Sequence, residues 1–369
     1  MTKSWYHVEN AADIDSPALL VYPDRIRQNI ERMIGYAGGL DRIRPHVKTH
    51  KMPEVIDLQI ALGVERFKCS TLAEAEMAAG CGAADVFLAH QLVGPKITRL
   101  VELAKAYPAT RFKALADDES TINEIGTAFS AAELTVDVFL DIDNGFGRSG
   151  IEPGEAAVAR YKQLSNTPGI RAAGLHVYDG HLRNRDVTER ISHSDDGYTR
   201  VTEFISQLES TGAEIPEIVA GGSPTFPAHA RREGVQCSPG TCLLWDANYA
   251  TNIPDLEFLH AAVLLTRVVS KPRGNRLTLD LGYKSVSPDN PDPRVVLFGL
   301  EDARAVVHNE EHLTIETESA ENYSVGDVLY GIPWHVCPTV ALHESAVVVR
   351  HGRGEDRWRI VARNRKINY

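Results

Sequence analysis

The chain has little of what marks a secreted, membrane-spanning or nucleic-acid-binding protein. Its 369 residues hold five cysteines, Cys69, Cys81, Cys237, Cys242 and Cys337. The number is odd and the spacing patternless, so a reducing, cytoplasmic setting is expected and a disulfide framework is not. No run approaches the roughly 18 apolar residues of a membrane span. The opening MTKSWYHVENAAD lacks the charged-then-apolar pattern of a secretion signal. Positive charge is scarce: the formal net charge is −11, which opposes binding to nucleic acid, where Lys and Arg must neutralise phosphate. A locally positive pocket for a small anion is still allowed. Internal repeats and low-complexity tracts are also lacking.

What is there reads as an ordinary globular composition, 43% hydrophobic and 24% charged. The length exceeds what one core usually supports, so two domains are expected. Eight apolar runs alternate with helical patterns: Arg42–Thr49, Arg66–Ser70, Asp85–Ala89, Arg111–Ala116, Thr135–Ile142, Arg171–Tyr178, Glu217–Gly221 and Gln236–Pro239. Pro95 opens one helical pattern, and Thr71-Leu-Ala-Glu74 is a capping-box signature for another. Eight βα units in this length predict an α/β fold, a (β/α)8 TIM-type barrel over 23–248. The rival is an open doubly wound sheet. Lys48, Asp143, Tyr178, Gly222 and Gly240 all fall at or just after C-terminal strand ends. A barrel gathers those ends on one face; an open sheet spreads them. From about residue 250 the pattern turns to short strands and turns, from Phe258–Ser270 to Arg357–Ala362. A mostly β C-terminal domain is expected over 249–369, joined by 1–22, whose Ser16–Tyr22 run reads as a strand.

Arg44, His46, Lys48 and His50 would share one strand face. Taken alone, Lys48 is a lysine snorkelling at a strand end. Facing into a barrel, its desolvated amine is a nucleophile able to form an imine with an aldehyde. By the strand count, Gly221-Gly222-Ser223 and Gly240-Thr241 follow strands seven and eight, where barrels often bind phosphate. Their N–H groups, with the Ser223 and Thr241 hydroxyls, suit an anion. An aldehyde-binding lysine and a phosphate cradle together point to pyridoxal phosphate. His335 and Cys337, two apart, share a face if Trp334–Pro338 is extended. Imidazole plus thiolate suits zinc. A structural cysteine beside a hydrogen-bonded histidine fits the same spacing.

The segments RPHVKTHK, LDIDNGFGRSGI, GLHVYDGH, GGSPT, SPGTCLLWDANY, LDLGYKS and HVCPT resemble, in order, the fold-type III pyridoxal phosphate enzymes, specifically the D-threonine aldolase and D-serine dehydratase group. The resemblance implies Lys48 as the Schiff-base lysine and Arg148 near the cofactor's phenolic oxygen. It implies Tyr178 against the cofactor, a phosphate cradle of Gly222, Ser223, Gly240 and Thr241, and a divalent metal (zinc, manganese or magnesium) on His335 and Cys337. Asp179, His181, Tyr249 and Lys284 are further pocket candidates, with His181 a candidate base. The implied activity is a metal-activated D-threonine aldolase, which cleaves D-β-hydroxy-α-amino acids to glycine and an aldehyde. Alternatives are a D-serine or 3-hydroxyaspartate dehydratase and a non-catalytic pyridoxal phosphate carrier. A homodimer is implied as well.

Overall fold

Every residue of the run Val136–Ile142 is buried, as in a parallel strand covered on both faces. It is the centre of a seven-stranded parallel sheet ordered as in the chain. The computed structural model describes residues 4–369. Its strands are β1 (Ala18–Val21), then β2 (Arg66–Cys69), β3 (Asp85–Leu88), β4 (Arg111–Ala116), β5 (Val136–Ile142), β6 (Ile170–Val177), β7 (Glu217–Ala220) and β8 (Val235–Cys237). There follow β9 (Ala262–Ser270), β10 (Arg276–Leu279), β11 (Val295–Leu297), β12 (Arg304–His308), β13 (Leu313–Glu316), β14 (Val328–Pro333), β15 (Ser345–Arg350) and β16 (Arg353–Arg359). Strands β2 to β8 form the parallel sheet and the rest form the second sheet.

Two compact units result: 31–48, 56–240 and 364–369 in one, and 1–30, 49–55 and 241–363 in the other. Against the expected boundaries, residues 23–30, 49–55 and 241–248 cluster with the β-rich unit and 364–369 with the barrel. Among the described residues no helix is long and apolar enough to cross a membrane.

The expected first barrel strand, Arg42–Thr49, is not a regular strand. Leu40–Arg42 is a 3-10 turn, and Pro45 has no N–H for a ladder. The segment still closes the sheet. Arg44 and His46 N–H donate to Cys237 O and Pro239 O at 2.8 and 2.9 Å. Val47 N–H donates to Lys68 O, and Lys68 N–H to Pro45 O, both at 2.9 Å. It thus joins β8 to β2 and serves as the eighth stave. Helices connect the staves as expected. Pro95–Ala106 begins at its proline. Leu72–Gly80 is capped by Thr71, whose Oγ1 accepts from Glu74 N–H at 3.1 Å, while the Glu74 carboxylate accepts from Ser70 N–H at 2.6 Å.

Inward positions climb the barrel two residues at a time, in three layers. At the base, Arg44 pairs with Asp85 and Glu217, and Lys113 pairs with the same two carboxylates. Burial opposes ionisation of Asp85, but Arg44 and Lys113 outweigh it and hold its carboxyl below the usual range. Above lies an apolar plug of Phe87, Leu115, Phe139, Ala173 and Val219. The third layer is a polar mouth.

The barrel's β6 departs from this rhythm. Its register against β5 slips between Ala172 and Gly174, a bulge with one extra residue. Gly174 has φ +129, and a Cβ on it would fall 1.8 Å from Glu217 O. The slip changes parity. Ala173 joins the plug, yet His176 and Tyr178, rather than Leu175 and Val177, line the mouth.

In the β-rich unit, β1 pairs antiparallel with β9 and parallel with β15; every other pairing is antiparallel. Its core holds Leu20, Tyr22, Val263, Leu265, Ile332 and Val347. One expectation is corrected here. Trp334–Pro338 is not extended: His335 is the N-cap of the helix Val336–Leu342. Proline in a first turn loses no helical hydrogen bond, so Pro338 favours the turn over a strand.

Replacing Arg44 by Met would leave Asp85 and Glu217 short of countercharge in the barrel base. It is expected to cost about 3–5 kcal/mol of stability, since breaking a buried pair leaves an uncompensated charge. The urea midpoint of the purified variant measures this; a midpoint equal to the wild type's would show that the base layer contributes nothing.

Candidate active site

The mouth of the barrel encloses a cavity of about 400 Å³. Lys48 and His46 reach it from the closing segment, Lys68 from β2, His176 and Tyr178 from β6, and Arg148 from the loop after β5. That loop is folded by Asp143, whose Oδ1 accepts from the N–H groups of Gly145, Phe146 and Gly147 at 2.8–3.0 Å. The Arg148 guanidinium then lies 4.8 Å from the Tyr178 ring and 4.7 Å from Phe146. Lys48 is half-buried and its backbone N–H donates to His46 Nδ1 at 3.3 Å.

Three groups in this mouth were not singled out from sequence: Lys68, Asp141 and His176. Asp141 accepts from His176 Nδ1 at 2.7 Å, Gln91 Nε2 at 2.8 Å and Ser149 Oγ at 3.0 Å. Burial raises its pKa, but these partners hold the carboxyl below its usual value. Burial first, and Lys68 next, press His176 down to about 4. The imidazole is therefore neutral, with Nδ1–H given to Asp141. Its Nε2 is buried and has no hydrogen-bond partner among the described residues. Lys68 is 3% exposed, and its Nζ donates to Ser238 Oγ at 2.9 Å. Burial foremost, then Lys48, lower its pKa to about 7. One signal was available: Lys68 is the lone charge inside an otherwise apolar strand core, Phe67-Lys68-Cys69. His176 was hidden by the bulge, which reverses the alternation.

The glycine turns stand close to this mouth. Gly221 takes φ +71. A Cβ on Gly222 would fall 3.0 Å from Tyr178 Cε2, so bare backbone abuts the ring. Gly240 N–H donates to Ser223 Oγ at 3.3 Å, joining the two turns, and Ser238 Oγ donates to Gly221 O at 2.8 Å. Thr241 belongs to the β-rich unit, where its Oγ1 lies 3.5 Å from Cys337 Sγ.

The further candidates separate. Asp179 is fully buried and does not line the cavity. It accepts from Thr225 Oγ1 at 2.6 Å, His229 Nε2 at 2.8 Å and Ser194 Oγ at 3.2 Å, and Thr225 Oγ1 in turn accepts from Gly222 N–H at 3.4 Å. It braces the first glycine turn. His181 is exposed and stacks on Phe146 at 5.3 Å, outside the cavity lining. Lys284 is an exposed lysine paired with Glu310 and Glu311. Tyr249 sits in the short helix Ala247–Asn252, with its N–H given to Asp246 at 2.9 Å. His50 hydrogen-bonds the backbone of Met52 instead of lining the mouth.

In the β-rich unit the His335 and Cys337 side chains are hydrogen-bonded to each other. His335 Nδ1 meets Asp289 Oδ2 at 2.6 Å, and Cys337 Sγ lies 3.2 Å from Thr49 Oγ1. Burial lowers the His335 pKa, yet Cys337 and Asp289 outweigh it and raise it to about 9. The donor set, a carboxylate-oriented imidazole beside a thiol, fits a borderline-soft cation. No cluster of three or more such side chains occurs among the described residues, so remaining positions would fall to water or substrate.

A cationic mouth, an imidazole nitrogen awaiting a donor and bared glycine turns fit a flat, phosphate-bearing ligand held by an amine. Comparison with known proteins agrees. The alanine racemase N-terminal domain family matches residues 21–247, and the putative serine dehydratase domain family matches 261–349. The chain belongs to the fold-type III pyridoxal phosphate family, in the group with these two domains. It is 31% identical to a D-threonine aldolase of an Arthrobacter species, covering 95% of this chain and 93% of that protein. It is 30% identical to a 3-hydroxy-D-aspartate aldolase of Paracoccus denitrificans, covering 96% and 93%. The crystal structure of D-threonine aldolase from Filomicrobium marinum superposes with a TM-score of 0.88 at 29% identity, covering 98% of each chain.

Lys68 gives a pH test. It sits at about 7 in the fold and at its ordinary 10.5 when unfolded. Between those values the unfolded chain holds the extra proton, so stability rises with pH across the window, by about 1.4 kcal/mol per pH unit. Apoprotein carrying Lys68→Met is expected to lack that rise. Denaturation curves of both proteins at several pH values above neutrality check it; parallel pH trends would show that Lys68 titrates normally.

Proposed function

We propose that this chain is a pyridoxal phosphate-dependent, divalent-metal-assisted aldolase of the D-threonine type, cleaving D-β-hydroxy-α-amino acids to glycine and an aldehyde. The observation that carries the reading is Lys48 on a cavity with Arg148, Lys68 and His176, beside glycine turns that abut Tyr178. The named aldolase relatives support the reaction type.

Bound cofactor supplies an electron sink for the bond broken at the substrate's Cα. Lys48 Nζ, on the cavity wall, would be the amine that tethers it. Arg148 and Tyr178, which line the same cavity, would hold the cofactor's phenolic side and its ring. Gly222, Ser223, Gly240 and Thr241 would hold the phosphate. His335 and Cys337 would hold a divalent cation, zinc, manganese or magnesium, and such a cation would supply acidification of the β-hydroxyl. His181, exposed beside Phe146 and outside the cavity lining, would be the candidate base for the hydroxyl proton. The proposal includes a cytoplasmic homodimer; the five free thiols support a reducing compartment.

The second reading is a dehydratase, D-serine or 3-hydroxyaspartate in substrate, favoured by the serine dehydratase domain match. Both begin from the same bound substrate. The choice between them would rest with the residues that hold the substrate's carboxylate and so orient its Cα bonds. A non-catalytic carrier fits less well, because the His335–Cys337 pair gives it no role.

Incubation with D-threonine and D-serine, with and without EDTA, separates the readings. Glycine with acetaldehyde supports the aldolase; 2-oxobutanoate or pyruvate with ammonia supports the dehydratase. Lys48→Ala is expected to abolish both the imine absorption and turnover. Activity untouched by chelation and by His335→Ala would remove the metal from the proposal. Loss of the base in His181→Asn is expected to lower kcat by about 10²–10⁴-fold; unchanged kcat would dismiss His181.

A further inference from the structure

The two glycine turns offer a phosphate only neutral donors. Residues 221–223 are Gly-Gly-Ser and 238–240 are Ser-Pro-Gly. A phosphate monoester carries close to two negative charges at neutral pH, and burying them without a countercharge is costly. Lys68 is the buried cation wired to these turns. Its Nζ donates to Ser238 Oγ at 2.9 Å, and Ser238 Oγ donates onward to Gly221 O at 2.8 Å. One residue thus touches the second turn directly and the first by relay.

Lys68 is also electrostatically incomplete. An ammonium has three N–H donors, and Ser238 is its hydrogen-bond partner among the described residues. Among the described residues it has no salt bridge, and its other recorded contact is the Tyr178 ring face at 5.5 Å. Its neighbours Lys48, Arg148 and Arg44 repel it; Asp141 attracts it without a direct contact and is hydrogen-bonded by His176, Gln91 and Ser149. A 3% exposed ammonium on a cavity wall with a neutral hydroxyl for a partner is short of an anion. A substrate carboxylate would also satisfy the charge, but the relay ties Lys68 to the turns and not to the open side of the mouth.

We propose that Lys68 supplies the positive charge that anchors the cofactor's phosphate, acting at both glycine turns together with Ser238. The inference rests on the pyridoxal phosphate reading above. It adds that the anchor comes from a strand on the far side of the closing segment, and that phosphate binding favours the protonated lysine. Binding above neutral pH therefore takes up a proton.

The test is reconstitution of full-length apoprotein with pyridoxal phosphate and, separately, with pyridoxal, following the imine absorption at Lys48. Lys68→Met is expected to weaken pyridoxal phosphate at least about tenfold, as for loss of a charged hydrogen bond. Pyridoxal affinity is expected to be nearly unchanged. Lys68→Arg keeps the charge and retains most of the preference for the phosphorylated form; Ser238→Ala, should Lys68→Met not fold, loses part of it. Equal weakening of both aldehydes overturns the proposal. So does unchanged pyridoxal phosphate affinity with a raised KM for the amino acid, which would assign Lys68 to the substrate carboxylate. Absence of an imine band in the wild type with either aldehyde would instead sink the cofactor reading itself.

Discussion

Four backbone hydrogen bonds hold the site together. The segment 43–48 makes two to the β8 side and two to β2, each about as short as a good amide bond becomes. Without them the parallel sheet has two raw edges and no enclosed mouth. The same bonds orient the segment, sending Arg44 to the charged base and His46 and Lys48 to the cavity. One irregular stretch therefore closes the barrel and presents the amine.

The interior is built to keep two sets of charges apart. In the base, two cations meet two carboxylates and each charge is answered. In the mouth, Lys48, Lys68 and Arg148 face one carboxylate that is already occupied. The Phe87–Phe139 layer lies between them. Low-polarity packing screens charge poorly, but it bars water and bars the mouth's cations from reaching the lower carboxylates. The upper site keeps its positive potential although the chain as a whole is strongly acidic. Net charge and site charge are set by different residues.

The fold class was legible because period-two apolar runs alternated with helical ones, and the glycines fell after the last two strands. Seven of the eight anticipated barrel strands are regular; the eighth is spoiled by Pro45, visible in the sequence but outweighed by the pattern around it. The strand β12 was missed because Arg304–His308 is half-exposed and polar at both ends. Strand β16 was placed too late, since the apolar residues 360–362 drew the pattern beyond its end. Within the mouth, Lys48, Arg148 and Tyr178 were found through motif and resemblance. Lys68 and Asp141 escaped because a lone charge in a strand gives no sign of which side it faces. The β-rich pair was right as a pair of neighbours and wrong in conformation: a helix start, not a strand, brings His335 and Cys337 together.

The bulge at Gly174 makes the mouth depend on the phase of the backbone as well as on side-chain identity. Because the bulge absorbs one surplus residue, the imidazole and the phenol face inward; the same residues running in unbroken alternation from Ala173 would turn both outward into the helical shell. A leucine and a valine would take their places. A chain one residue shorter across β6 would place the same two side chains inward with no bulge at all, so the count of positions together with the bulge decides which side chains reach the mouth.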